Sequence, residues 1–317
     1  MKRFFSVTDV ENLEDLVKEA LLIKKNPMGK KKLGEGKTLG LVFLNASLRT
    51  RLSTQKAAQN LGLETLILNT NQESWIWEFE DKAIMNGNTV EHIKDAANVL
   101  SQYCDIIGIR CFANLQNKEE DVHEKVYSLF EKHATVPVIS LESATLHPLQ
   151  SLADCITIEE HISANKKPKV VLTWAPHIKA IPQAVANSFA QWMNKRDYNF
   201  VITHPENYEL DPAFTQGATI EHDQEKALEN ADFVYVKNWS SFSDYGKIVP
   251  VETDWMLTNK KLELTNDAKI MHCLPVRRNV EVSDEVLDSK NSLIYQQAKN
   301  RIYAAQVVLE KILESNE

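Results

Sequence analysis

No cysteine pair, no nucleotide-binding loop and no membrane-length apolar run occurs in this chain, and each absence narrows what it does. Its four cysteines, Cys104, Cys111, Cys155 and Cys273, show neither a CxxC pair nor metal-ligand spacing with histidine, which argues against a zinc or dithiol site and for a reducing cytoplasm. The nine histidines include no His-Glu-x-x-His pattern, so no metal and no other cofactor is expected. Without Gly-x-Gly-x-x-Gly, the chain has no dinucleotide fingerprint. Gly36-Lys37-Thr38 ends like a Walker A loop, but Lys31 stands where the first glycine belongs, and the segment enters an apolar run instead of leaving one. No apolar stretch approaches the roughly 20 residues of a membrane span. The opening Met1-Lys2-Arg3-Phe4-Phe5-Ser6-Val7 is followed at once by Asp9, Glu11, Glu14 and Asp15, so no signal-peptide core is expected either. A basic excess is also lacking: 36 Lys and Arg against 44 Asp and Glu leave a net charge of -8. That disfavours a general nucleic-acid binder, and any anionic ligand must be captured by individually placed arginines.

What is present is an alternation of short apolar runs with longer helical ones, without internal repeats or low-complexity tracts. Over 317 residues, 43% of them hydrophobic, this pattern predicts an α/β protein of two doubly wound parallel-sheet domains. The predicted strands span residues 38–44, 64–68, 105–110 and 136–141, then 169–174, 199–203, 233–237 and 269–273. Helices are predicted over 50–61, 88–103, 149–162 and 297–313, with Asn165-Lys166-Lys167-Pro168 as the loop before the second sheet. Two such sheets place ligands at the carboxyl ends of their strands, in a cleft between the domains.

Ser47-Leu48-Arg49-Thr50-Arg51 lies where the first strand gives way to a helix. Backbone N–H groups, the positive end of the helix dipole, two hydroxyls and the Arg49 fork make this turn suited to a phosphate. Alone it reads equally well as a plain helix start with Ser47 as N-cap. Two further clusters follow predicted strands: Glu142-Ser143-Ala144-Thr145-Leu146-His147-Pro148-Leu149-Gln150 and His272-Cys273-Leu274-Pro275-Val276-Arg277-Arg278-Asn279. Taken singly, each also has an ordinary reading, Arg110 as a surface arginine, His147 as an N-cap, Lys237 as a solvated strand end and Cys273 as a small hydrophobe. The ordered set is what carries weight.

These three motifs, in this order and spacing, resemble the aspartate and ornithine transcarbamylase superfamily over essentially the whole chain. Glu73-Ser74-Trp75-Ile76-Trp77, Thr173-Trp174-Ala175-Pro176-His177, Lys237-Asn238-Trp239 and the Pro275 to Asn279 segment are similar to the branch that carbamoylates N-acylated ornithines. No Ser-Met-Gly loop of plain ornithine enzymes precedes Cys273. The resemblance implies a carbamoyl-phosphate-binding domain of residues 1–147 plus 297–317 and an acylornithine-binding domain of residues 148–296. It implies that Ser47, Leu48, Arg49 and Thr50 hold the phosphate, with Trp75 reaching in from a neighbouring subunit of a homotrimer. Arg110, His147, Pro148, Leu149 and Gln150 surround the carbamoyl group, together with the backbone carbonyls of Cys273 and Leu274 and the side chain of Arg301. Arg110, His147 and Arg301 are the expected catalytic groups, as donors to the oxygen that gains charge. Glu142, His177, Lys237 and Arg277 are expected to hold the acylated ornithine.

Val90 bears on the acyl group. Acetylornithine enzymes resemble one another in carrying a glutamate here, and succinylornithine enzymes a proline; an uncharged valine spares a succinyl carboxylate the repulsion. N-succinylornithine is therefore the expected acceptor, with N-acetylornithine the alternative because Glu91 is one residue away, and a non-catalytic metabolite-binding protein the alternative of another class. The resemblance also implies a knot around residues 175–183. Before Asn300-Arg301, Tyr295 to Lys299 lack the acidic residues of many relatives, which alters local ion pairs and leaves Arg301 in place.

Overall fold

The computed structural model describes residues 1–162 and 167–315, apart from the side chains of residues 71 and 72. Asn165 and Lys166 of the expected loop, and the last two residues of the expected first domain, lie outside the described residues. The chain divides into two compact units, Met1–Leu149 with Arg301–Glu317, and Gln150–Asn300. The chain leaves and re-enters the first unit within the helices Pro148–Glu159 and Ile294–Glu314, slightly farther along than the expected boundaries after residues 147 and 296.

The first unit contains β1 (Arg3–Phe4), β2 (Thr38–Phe43), β3 (Glu64–Asn69), β4 (Trp77–Glu78), β5 (Glu91–His92), β6 (Ile106–Arg110) and β7 (Val138–Glu142). Five of them form one parallel sheet in the order β1-β7-β6-β2-β3, and β4 pairs with β5 beside it. The continuous apolar run of β2 and β6 suits strands buried on both faces, as parallel sheets require, and both are buried nearly throughout. The half-exposed β3 lies at the edge. The second unit contains β8 (Lys169–Trp174), β9 (Asn199–Thr203), β10 (Thr219–Glu221), β11 (Phe233–Lys237) and β12 (Lys269–Met271), all parallel in the order β10-β9-β8-β11-β12. Each unit has its own core, with Val42, Ile93, Ile107, Ile109 and Phe130 in the first and Val171, Val234, Val236, Ile270 and Leu287 in the second. Among the described residues, no helix is long and apolar enough to cross a membrane.

The differences from expectation have local causes. The helix predicted from residue 88 begins only at Ile93, because the Val90 amide donates to Ile76 O at 2.9 Å and His92 caps the helix by accepting from Lys94 N at 3.1 Å. The strand predicted through Cys273 ends at Met271, since the His272 amide donates to the Gln297 side chain instead of a neighbouring strand. Strands β1, β4, β5 and β10 are too short to leave a periodic signal. The helix expected from Thr50 starts at Leu48 and closes at Gly62, whose φ of 79° is left-handed and whose amide bonds back to Gln59 O.

Gly62 and Gly36 both take positive φ, but a Cβ at Gly62 would meet the Lys31 carbonyl at 2.1 Å, whereas one at Gly36 meets nothing within 4 Å. Gly36→Ala should therefore lower the unfolding free energy by about 1 kcal/mol, the left-handed cost alone. Gly62→Ala should lower it by about 2–3 kcal/mol. Urea denaturation of both variants reads the difference, and equal losses would mean that backbone clash at Gly62 is relieved by movement.

Candidate active site

The Ser47 turn follows β2 directly. Ser47 caps the helix Leu48–Leu61 from extended backbone, its hydroxyl accepting from Thr50 N at 3.4 Å. The turn's carbonyls are held from behind by Arg110 at the end of β6, whose Nη1 donates to Asn45 O at 2.9 Å and Ala46 O at 3.0 Å. The same guanidinium sends Nε and Nη2 to Glu142 Oε2 at 3.1 and 2.8 Å, and stacks over Phe112 at 4.6 Å. Arg110 is 8% exposed, which removes its reading as a solvated surface arginine. Arg49 brings a buried Nε with no partner, beside the exposed Leu48.

Arg301, on the helix Ile294–Glu314, donates from Nη2 to Thr50 Oγ1 at 2.7 Å and faces His147 Nε2 at 3.3 Å. His147 Nε2 also lies 3.8 Å from Glu142 Oε2. Burial, then the adjacent Arg301 and Arg110 charges, push the His147 imidazole well below its usual range, so it is neutral. With Nε2 accepting from Arg301, the proton sits on Nδ1, and that atom is buried without a partner. The structure thus brings Thr50, Arg301 and His147, joined by hydrogen bonds, close to the hydrogen-bonded pair Glu142 and Arg110 at the carboxyl ends of β6 and β7.

Glu124 had no signal in the sequence, where it is one acid in a charged helical stretch. It is 8% exposed, with a left-handed φ of 53°. Its carboxylate accepts from Ser143 Oγ at 2.7 Å, Ala144 N at 3.1 Å, Thr145 N at 2.7 Å and the Thr145 hydroxyl. Burial raises its pKa against those donors. It shapes the loop that carries the chain from Glu142 to His147. Trp75 turns outward, 62% exposed, while Trp77 is buried and stacks on Phe130. Trp75 lines a cavity of about 460 Å³ with Asn45, Phe112, Asn114 and Lys125. Val90 is 60% exposed beside β5.

In the second unit, His177 and Arg277 lie beyond the carboxyl ends of β8 and β12, and Lys237 is the last residue of β11 between them. Arg277 Nε donates to His177 Nε2 at 3.0 Å, and His177 Nδ1 lies 3.1 Å from Lys179 N and 2.9 Å from Lys179 O. Lys237 is 9% exposed and donates to Asn238 O at 3.0 Å, so it does not end its strand in solvent. Buried Glu281 accepts from Arg277 N at 2.6 Å, and its pKa, raised by burial, is brought below normal by His272, Lys237 and that amide. Glu142, expected with this group, belongs to the first unit and accepts from Arg110.

Gln150 donates from Nε2 to Asp154 Oδ1 at 2.8 Å, leaving its Oε1 buried without a partner. Asp154 was missed, although its position four residues after Gln150 puts both on one helix face. After β12, Leu274 takes a φ of 57° before a cis bond to Pro275, and its amide donates to His272 Nδ1 at 2.9 Å. All four cysteines are buried and unbridged. Among the described residues no cluster of metal-ligating side chains occurs.

Residues 2–160 match the family model of the carbamoyl-phosphate-binding domain of aspartate/ornithine carbamoyltransferases, and residues 181–312 match that of the Asp/Orn-binding domain. The chain is 50% identical to the N-succinylornithine carbamoyltransferase of Bacteroides fragilis, over 99% of each chain. It is 33% identical to the N-acetylornithine carbamoyltransferase of Xanthomonas axonopodis pv. citri, over 98% of this chain and 96% of that one. A solved N-acetyl-L-ornithine transcarbamylase in which a glutamate is replaced by valine, complexed with carbamyl phosphate and N-succinyl-L-norvaline, matches at a TM-score of 0.90 with 32% identity, covering 98% of this chain and 100% of the other. With both compact units matched in order, the chain belongs to the aspartate/ornithine carbamoyltransferase family.

Proposed function

We propose that the protein transfers the carbamoyl group of carbamoyl phosphate to the δ-amine of N-succinyl-L-ornithine, giving N-succinyl-L-citrulline and inorganic phosphate, as a step of arginine biosynthesis. The observation that carries this is the buried cluster of Arg110, His147, Arg301 and Thr50 around the helix N-terminus at Ser47. It concentrates donors for a phosphate and a carbonyl oxygen where backbone N–H groups are already free.

Ser47, Leu48, Arg49 and Thr50 hold the phosphate. Arg110, Arg301 and the Nδ1 proton of His147 polarise the carbamoyl oxygen, flanked by Pro148 and Leu149. Gln150 Oε1 and the carbonyls of Cys273 and Leu274 accept from the carbamoyl NH₂. The neutral δ-amine attacks the carbonyl carbon; a C–N bond forms, the C–O bond to phosphorus breaks, and phosphate leaves with the electron pair. Glu142 already receives two Arg110 donors, so the departing phosphate is the better acceptor for the amine proton. Alignment and fixed positive charge carry the catalysis. Lys237 and Arg277 suit the carboxylates of the acceptor, with His177 and Glu142 as further contacts.

Val90 at the acyl end favours succinyl; solved relatives complexed with N-succinyl-L-norvaline have alanine, serine, valine or proline in place of a glutamate. The reading includes a cytoplasmic homotrimer with Trp75 crossing between subunits, supported by the exposure of Trp75 and Ile76 at 62% and 64%. It also includes a knot at residues 175–183, supported by bonds from Asn238 Nδ2 to Ala175 O, Ser240 N to Ile181 O and Gln183 Nε2 to Ser240 O.

Turnover of N-succinylornithine, N-acetylornithine and ornithine compared side by side tests the assignment: succinylornithine should be fastest, and no turnover of it sinks the proposal. Val90→Glu should shift the kcat/KM ratio toward acetylornithine by at least about tenfold, and an unchanged ratio removes Val90 from the acyl site. The neutral, buried His147 has a second consequence. Its folded pKa lies well below the unfolded value of about 6.5, so below pH 6.5 the unfolded state binds the extra proton. Its contribution to stability is complete above that pH and falls away as the pH drops through the folded pKa, by up to ~1.4 kcal/mol per pH unit. His147→Asn should flatten the fall in unfolding free energy between pH 6.5 and 5, and an unaltered slope would contradict the neutral imidazole.

A further inference from the structure

The carboxylate of Asp154 takes no part in the steps above, yet it is fully buried and joins two of the groups they use. Its Oδ1 accepts from Gln150 Nε2 at 2.8 Å and from Gln297 Nε2 at 2.7 Å, and Gln150, Asp154 and Gln297 are each at most 1% exposed. Because Oδ1 accepts from both amide nitrogens, both glutamines turn their oxygens away from it. The Gln150 oxygen is then buried without a protein partner. The Gln297 oxygen accepts from His272 N at 2.9 Å, and His272 Nδ1 in turn accepts from Leu274 N at 2.9 Å. One carboxylate thereby orients the Gln150 amide and anchors the start of the His272-Cys273-Leu274-Pro275 segment.

We infer that Asp154 is a positioning residue that makes this part of the site present acceptors only, and that it thereby selects a carbamoyl group over an acetyl group on the same phosphate. The inference rests on the carbamoyl contacts proposed above for Gln150, Cys273 and Leu274. Acetyl phosphate differs from carbamoyl phosphate by a methyl in place of NH₂, with nearly the same shape and charge. A methyl gives nothing to a set of oriented acceptors, and leaving buried acceptors unpaired is what makes such a site discriminate. If the Gln150 amide were free to rotate, its nitrogen would face the ligand part of the time and the advantage of NH₂ would shrink.

The test measures binding of carbamoyl phosphate and acetyl phosphate to the full-length protein by calorimetry, with the KM for carbamoyl phosphate alongside. Asp154→Leu, which removes the acceptor with a somewhat larger side chain, should weaken carbamoyl phosphate about tenfold while acetyl phosphate changes by less than about twofold. Asp154→Asn, whose amide oxygen still accepts from both glutamines, should stay within about threefold of the wild type for both ligands. Equal weakening of the two phosphates in the leucine variant, or an asparagine variant that behaves like leucine, overturns the inference. Should Asp154→Leu fail to fold, Gln297→Met removes one arm and should show the same split at about threefold; an equal effect on both phosphates there overturns it too. Because binding is read without turnover, a wild type inactive on every acylornithine refutes the proposed reaction and leaves the ratio of the two phosphates to judge Asp154.

Discussion

The guanidinium of Arg110 is the constraint on which the first unit's site depends. It stands at the end of β6, between the ends of β2 and β7, and bonds to both: to the Asn45 and Ala46 carbonyls on one side and to Glu142 on the other. Those carbonyls belong to the turn that aims the helix N-terminus, so the geometry of the turn at Ser47 is set by a residue more than sixty positions away. A charge this deeply buried is tolerated only while its partners remain. Removing Glu142 would leave it uncompensated at a cost of about 3–5 kcal/mol, which makes the cluster rigid as well as charged.

The buried atoms without partners at Arg49, His147 and Gln150 are of two kinds. Arg49 Nε and the protonated His147 Nδ1, in the first unit, are donors. The Gln150 oxygen, in the second, is an acceptor fixed by Asp154. A phosphate and a carbonyl oxygen ask for donors, and an NH₂ group asks for acceptors. Burial enforces the division, since a polar atom that water cannot reach must be oriented by its neighbours. Glu124 gathers loop donors onto a carboxylate so that the loop has one shape, whereas Asp154 gathers two helical glutamine side chains.

Much of this architecture could be read from residue order. Strands β8, β9 and β11 run over the expected residues because each is an unbroken apolar run bounded by polar residues, a signal that depends on nothing outside the segment. Where the expectation missed, a distant partner had claimed a backbone group: Ile76 takes the Val90 amide and delays a helix, and Gln297 takes the His272 amide and shortens a strand. Asp154 carried a usable i, i+4 signal next to Gln150, whereas nothing local distinguishes Glu124 from the acids around it.

By itself the sequence determined the class of fold, the position of the Ser47-capped turn and the order of the three motifs, because periodicity, capping chemistry and short-range spacing are local properties of the chain. Only the tertiary structure decided that Arg110 braces the turn, that Glu142 is committed to that arginine, that His147 is neutral with its proton on Nδ1, and that Gln150 offers an oxygen. Each of these depends on which residues from remote parts of the chain come within hydrogen-bonding distance after water has been excluded. Protonation, tautomer and amide orientation are set by that neighbourhood and not by the residue's own identity.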